Sequence, residues 1–150
     1  MRRYISVALL SVIGSTAIGQ TVSDEALAEC QAANSRFTSV ADCLPATDVA
    51  ITMLAATQSE ELYGEAGGRL VEACAELNDN SIGAWACVNN AISDAVELLG
   101  MVGSADKIDD PMFQGISDPA LLERIEERED EEQSRFGRRM WGGNMYQPLR

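Results

Sequence analysis

Histidine is absent from this 150-residue chain, and Lys107 is its only lysine. The first absence removes the usual general base and the commonest metal ligand. The second leaves a serine nucleophile without a Lys-type base, because Lys107 lies among loop-forming residues. The four cysteines include no C-x-x-C pair, so no thiolate zinc site is expected. Asp106, Asp109 and Asp110 cluster, but they lack the Asp/Asn alternation and closing Glu of an EF-hand loop. Glu60-Glu61 reads as a solvated pair on a helix surface. Gly67-Gly68 follows no strand and reads as a hinge, not a phosphate loop. Aromatic residues are scarce, at 5%, and no strand-like alternation competes with helical spacing. These gaps argue against an enzyme, a cofactor and a metal centre, and for an all-α fold.

Positive charge is also short. The chain carries 11 basic against 24 acidic side chains, a net −13. Binding to nucleic acid or to an anionic membrane is therefore disfavoured, while a cationic protein partner is allowed. Two of the basic residues, Arg2 and Arg3, open an N-terminal segment with an apolar run from Ile5 to Ile13. Ala17 and Gly19 then stand at the −3 and −1 positions of a cut before Gln20, the pattern of a secretory signal peptide. The apolar run is shorter than the ~20 residues of a spanning helix, and Gly14 and Ser15 interrupt it. Export is the expectation. Membrane association enters only if this segment is retained. Loss of Arg2 and Arg3 takes the mature chain to −15.

In an oxidising compartment the cysteines read as two disulfides. Twelve residues separate Cys30 from Cys43, and twelve separate Cys74 from Cys87. Composition alone leaves three pairings open. Cys74 and Cys87 bracket Asn78-Asp79-Asn80-Ser81, a loop-forming cluster between two stretches of helical spacing; Cys30 and Cys43 bracket Arg36-Phe37-Thr38. In antiparallel hairpins each pair would face itself. If both members of a pair lay on one helix, thirteen positions at ~100° would put them ~220° apart, unable to meet one partner. The geometry favours Cys30–Cys43 and Cys74–Cys87. Each unit has Asn four residues after its first cysteine (Asn34, Asn78), the outline of a duplication, though little else aligns.

Helical spacing predicts five segments: 23–36, a short 39–44 broken by Pro45, 47–63 stopped by Gly64, the Cys74 helix after Gly67-Gly68, and the Cys87 helix ending at Gly100. Leu27, Phe37, Met53, Leu70, Leu77, Trp85, Val88, Ile92 and Val96 are the expected core. The predicted organisation is a signal peptide at 1–19, a disulfide-stapled bundle of two helical hairpins at 20–100 and a linker at 101–117. An extended charged helix at 118–136, opened by Asp118-Pro119, and a flexible tail at 137–150 complete it. The tail changes character: Arg138, Arg139, Trp141 and Tyr146 are residue types that anchor interfaces, and they are the candidate partner-binding residues.

The resulting expectation is an exported, periplasmic or secreted, non-enzymatic interaction protein, an accessory or adaptor that binds another envelope protein. The alternative is an inhibitor of a cationic secreted hydrolase such as a lysozyme. An enzyme with an unusual carboxylate site ranks last.

Overall fold

Short polar side chains set most of the helix starts. The computed structural model describes residues 21–137, and every regular element among them is helical. The Ser23 hydroxyl accepts the Ala26 N–H at 3.2 Å and caps α1, Asp24–Ala33. Helix α2 spans Phe37–Thr57 and α3 spans Gly64–Glu76. Asn80 accepts the Gly83 N–H at 2.8 Å and opens α4, Ser81–Val102. A single 3-10 turn at Ala105–Lys107 leads to two Asp-Pro starts. Asp110 caps α5, Pro111–Ile116, and Asp118 caps α6, Pro119–Ser134, each with proline in the first turn, where its missing N–H costs nothing.

Helices α1 and α2 form one antiparallel hairpin, and α3 and α4 form another. Cys30–Cys43 staples the first, with Cα atoms 5.8 Å apart; Cys74–Cys87 staples the second at 5.7 Å. The asparagine common to both units does the same job in each. Asn34 Nδ2 donates to the Cys30 carbonyl at 3.0 Å, and Asn78 Nδ2 donates to the Cys74 carbonyl at 2.7 Å. Each donates to a carbonyl in the last turn of its helix, and the Cys74 carbonyl also accepts the Leu77 N–H at 3.3 Å.

Helix α2 is the hub, packed against α1, α3, α4 and α6. Met53, Val88, Ile92 and Ile125 are at most 1% exposed and form the centre of the core, joined by Val49, Leu70, Trp85, Phe113 and Ile116. Leu27 and Val96 are half-buried.

Several sequence expectations are corrected. Pro45 does not divide a short helix from a longer one, because α2 runs straight through it. A helix-interior proline costs ~3 kcal/mol. Burying Val49 and Met53 in the turns that follow returns ~1.5–3 kcal/mol each, and Cys43 ties the turn before it to α1. The helix then ends at Thr57, with turns from Gln58 to Tyr63 before Gly64.

Gly67-Gly68 is not a hinge but the middle of α3. A Cβ on Gly67 would stand 2.1 Å from the Thr57 carbonyl oxygen and 2.8 Å from Tyr63 Cβ, so glycine is what lets α3 cross the end of α2. On Gly68 it would meet nothing within 4 Å. Gly67→Ala is therefore expected to cost ~1–3 kcal/mol by overpacking against backbone. Gly68→Ala should be neutral or stabilising by up to ~1 kcal/mol through helix propensity. Urea denaturation of the two variants checks the pair; equal stabilities would contradict this crossing.

Helix α4 passes Gly100 and stops at Gly103, whose φ of 80° provides the left-handed cap. Finally, Phe37 and Leu77 are not core residues. They are 85% and 80% exposed. Phe37 is the first residue of α2 and Leu77 the C-cap of α3, so each stands at a hairpin turn.

The segment 101–117 contains α5, whose Phe113 and Ile116 are buried. A Cβ on its Gly115 would lie 2.4 Å from Ala66 Cβ on α3, so the two helices meet closely. The acidic helix α6 is docked along α2, with Ile125 fully buried.

Candidate interaction surface

The charge run Glu126 to Glu132 is less uniform than its sequence. Two of its carboxylates face inward. Glu129 Oε1 accepts the Trp85 indole N–H at 3.0 Å and the Gln133 side-chain amide at 3.0 Å. Glu132, 7% exposed, pairs with Arg128 at 3.4 Å and with Arg135. Arg135 reaches across to Asp48 of α2 at 3.7 Å, and the other oxygen of Asp48 accepts the Ser23 N–H at 2.7 Å. Hydrogen bonding to Glu132, followed by the charges of Glu132 and Asp48, holds the Arg135 guanidinium more firmly protonated than usual. Both ends of the described chain thus meet at Asp48, a carboxylate only 2% exposed.

Sequence reasoning missed Asp48, Glu129 and Glu132. The signal for Asp48 was present: it is a lone acid directly before the largely apolar stretch Val49-Ala50-Ile51-Thr52-Met53, and an acid in such a setting is rarely buried unless paired. Nothing in the run Glu126 to Glu132 marks which two acids turn inward.

At the opposite end of α1 a second carboxylate links the hairpins. Glu29 accepts the Ser81 N–H at 3.0 Å and the Ser81 hydroxyl at 2.5 Å. Ser81 follows the turn of the second hairpin, and Glu29 lies one turn before the end of α1, so both hairpin turns stand at one end of the bundle. Phe37 and Leu77 are the most exposed large apolar side chains there. The staples lie just behind them. The Thr47 hydroxyl is 3.3 Å from Cys30 Sγ and 3.4 Å from Cys43 Sγ; a disulfide sulfur carries no proton, so the hydroxyl is the donor. The bridges tie the two helices of each hairpin together close to its turn.

Two clefts open elsewhere. One of about 310 Å³ lies between the end of α2 and α6, with Arg124 and Arg128 facing Glu61. The other, about 320 Å³, lies among α3, α4 and α5 and is lined by Leu70, Leu98 and Phe113 with Asp94 and Asp110 at its edge. Both are at the small end of the range for ligand sites. Among the described residues no group of three or more acidic or cysteine side chains is placed to hold a metal ion.

Tyr63 is 5% exposed and its hydroxyl has no hydrogen-bond partner. Burial first, then the charges of Asp118 and Glu126, push the phenol well above its usual value. Tyr63→Phe removes a buried group that gains nothing from its burial, so it should leave stability unchanged or raise it by ~1–2 kcal/mol. The unfolded phenol ionises near pH ~10 while the folded one resists. The wild type should therefore lose stability as pH rises above that value, and the phenylalanine variant should lose less. Denaturant titrations at neutral and alkaline pH read both effects. A variant that is markedly less stable at neutral pH would reveal a partner for the hydroxyl.

The four cysteines are where the hairpin geometry placed them, and none is free. Arg138, Arg139, Trp141 and Tyr146 lie outside the described residues. No protein-family model matches the chain, and no curated protein and no solved structure matches it either. The class defined by fold and surface is an acidic helical bundle with two disulfides, a covalent framework that suits an oxidising compartment.

Proposed function

We propose that the chain is an exported, non-enzymatic interaction protein, an accessory or adaptor that binds another protein of the bacterial envelope. The observation that carries this reading is the pair of large apolar side chains, Phe37 and Leu77, left in solvent at the tips of two disulfide-stapled hairpins. Exposed aromatic and aliphatic residues on a rigid support are the material of interface anchors. The described residues hold all 24 acidic side chains and six basic ones, so a partner with a basic face is favoured at long range. Arg138, Arg139, Trp141 and Tyr146 belong to the same proposal as further anchors. The acidic surface also favours a second reading, an inhibitor of a cationic secreted hydrolase such as a lysozyme.

Expression with the natural N-terminus and mass spectrometry of the exported form test export; the mature chain should begin at or near Gln20 and be recovered in the periplasm or the medium. Affinity capture from envelope extract tests binding. A partner retained by the wild type and lost from Phe37→Ser/Leu77→Ser supports the adaptor reading. Capture of a lysozyme-like hydrolase, with loss of its activity, selects the second. Equal capture by wild type and variant would remove the hairpin tips from the proposal.

A further inference from the structure

The cleft among α3, α4 and α5 is built to take a side chain. Ala91 and Ala95 of α4 are too short to close the space beside α5, and the buried Leu70 and Phe113 form its floor. Leu98 of α4 and Met112 of α5 wall it, and both reach solvent. Met101, one turn beyond Leu98 and 71% exposed, prolongs the apolar wall along α4. Asp94 stands one turn before Leu98 on the same face of α4. Asp110 is held in place by its cap, where Oδ1 accepts the Met112 N–H at 2.8 Å and the Phe113 N–H at 3.2 Å. No lysine or arginine lines the cleft, and among the described residues neither carboxylate has an ion-pair partner.

We propose that this cleft is a docking site for a lysine- or arginine-bearing apolar segment of another protein. Charge and shape together argue for this occupant. An apolar floor beneath two carboxylates without a cation complements a long cationic side chain. Its aliphatic stem lies on Leu98 and Phe113 while its charged head reaches Asp94 and Asp110. A volume of about 320 Å³ takes one or two side chains rather than a whole helix, so the rest of the segment lies over Leu98 and Met101. Methionines at such a surface repack around different side chains. A second copy brings net negative charge to an acidic rim and is disfavoured on that ground. From Ser81, behind the hairpin tips, to Leu98 is seventeen residues of helix, about 26 Å. The cleft is therefore a separate surface from Phe37 and Leu77, and the proposal stands apart from the function proposed above.

The test titrates the purified mature chain, followed by NMR, with a short amphipathic helical peptide of leucine and lysine. Shifts should concentrate in the Leu98 and Met112 methyls and the amides of 94–98 and 110–116, and spare Phe37 and Leu77. The variant Asp94→Asn/Asp110→Asn keeps the α5 cap, because asparagine caps as well as aspartate. It should bind the peptide about fivefold more weakly, the sum expected of two exposed charge pairs, and the difference should fade in high salt. Leu98→Ser, at a half-exposed site, should weaken binding as well. A counterpart peptide with glutamate in place of lysine should not bind. Shifts scattered over the acidic surface, or equal binding by wild type and the double asparagine variant, would overturn the proposal. So would NOEs from the cleft to another part of the same chain before peptide is added, or a dimer in sedimentation that Leu98→Ser dissociates, since the cleft would then already have its occupant.

Discussion

Replacing both cysteine pairs by alanine is expected to leave the bundle largely unfolded at 37 °C, and replacing either pair alone to lower its melting temperature clearly. Each bridge closes a ring with a sequence separation of 13, which restricts the unfolded chain by ~3 kcal/mol. A domain of this size has ~5–15 kcal/mol of net stability, so two such losses consume a large part of it. The core offers little in reserve, because its largest members at the centre are Met53, Ile92, Ile125 and Val88 and aromatics make up only 5% of the chain. Cys30 and Cys74 are almost fully buried, so alanine also removes packed sulfur. Thermal scans with and without reductant measure the effect. Non-reducing peptide mapping must first find Cys30 joined to Cys43 and Cys74 to Cys87; a peptide linking Cys43 to Cys74 would contradict the hairpin geometry.

Trp85→Ala is expected to cost ~3–5 kcal/mol, the range for truncating a buried aromatic side chain. Trp85 is 7% exposed in the core between the two hairpins, and its indole N–H is the link from α4 to the acidic helix through Glu129. Two losses therefore combine: a cavity in the core and a carboxylate on α6 that loses its link to α4 and keeps only the Gln133 amide. A double-mutant cycle with Glu129→Ala separates them. A coupling of ~1 kcal/mol is expected, reduced from the value for a fully buried charged acceptor because Glu129 is half-buried. Amide exchange across α6 should accelerate in both single variants. Wild-type stability in Trp85→Ala would contradict the docking of α6 on the bundle.

Much of this architecture is legible from local chemistry. The helical period, the Asn and Asp caps and the loop-forming cluster between Cys74 and Cys87 specify the two hairpins and their staples, because each acts over a few residues. The errors arise where a distant contact decides. Pro45 looks like a breaker until the burial of Val49 and Met53 is weighed against it. Gly67 looks like a hinge until the Thr57 carbonyl stands beside it. Asp110-Pro111 carries the same start signal as Asp118-Pro119, so α5 could have been read from sequence; the glycines and aspartates around it masked six helical residues as linker. Phe37 and Leu77 show the opposite failure. Apolar spacing predicts burial, but a helix end that extends past its packing partner leaves such residues in water. That failure is informative about function, because an apolar residue held rigidly in solvent is a candidate contact.

The central claim is that a stapled acidic scaffold presents apolar anchors at its hairpin tips to another protein. It is tested most directly by calorimetric titration of the captured partner with the wild type and with Phe37→Ser/Leu77→Ser, both verified as folded and oxidised. Anchors of this kind commonly carry ~2 kcal/mol each, so the double variant should bind at least ~30-fold more weakly. An unchanged affinity would contradict the claim.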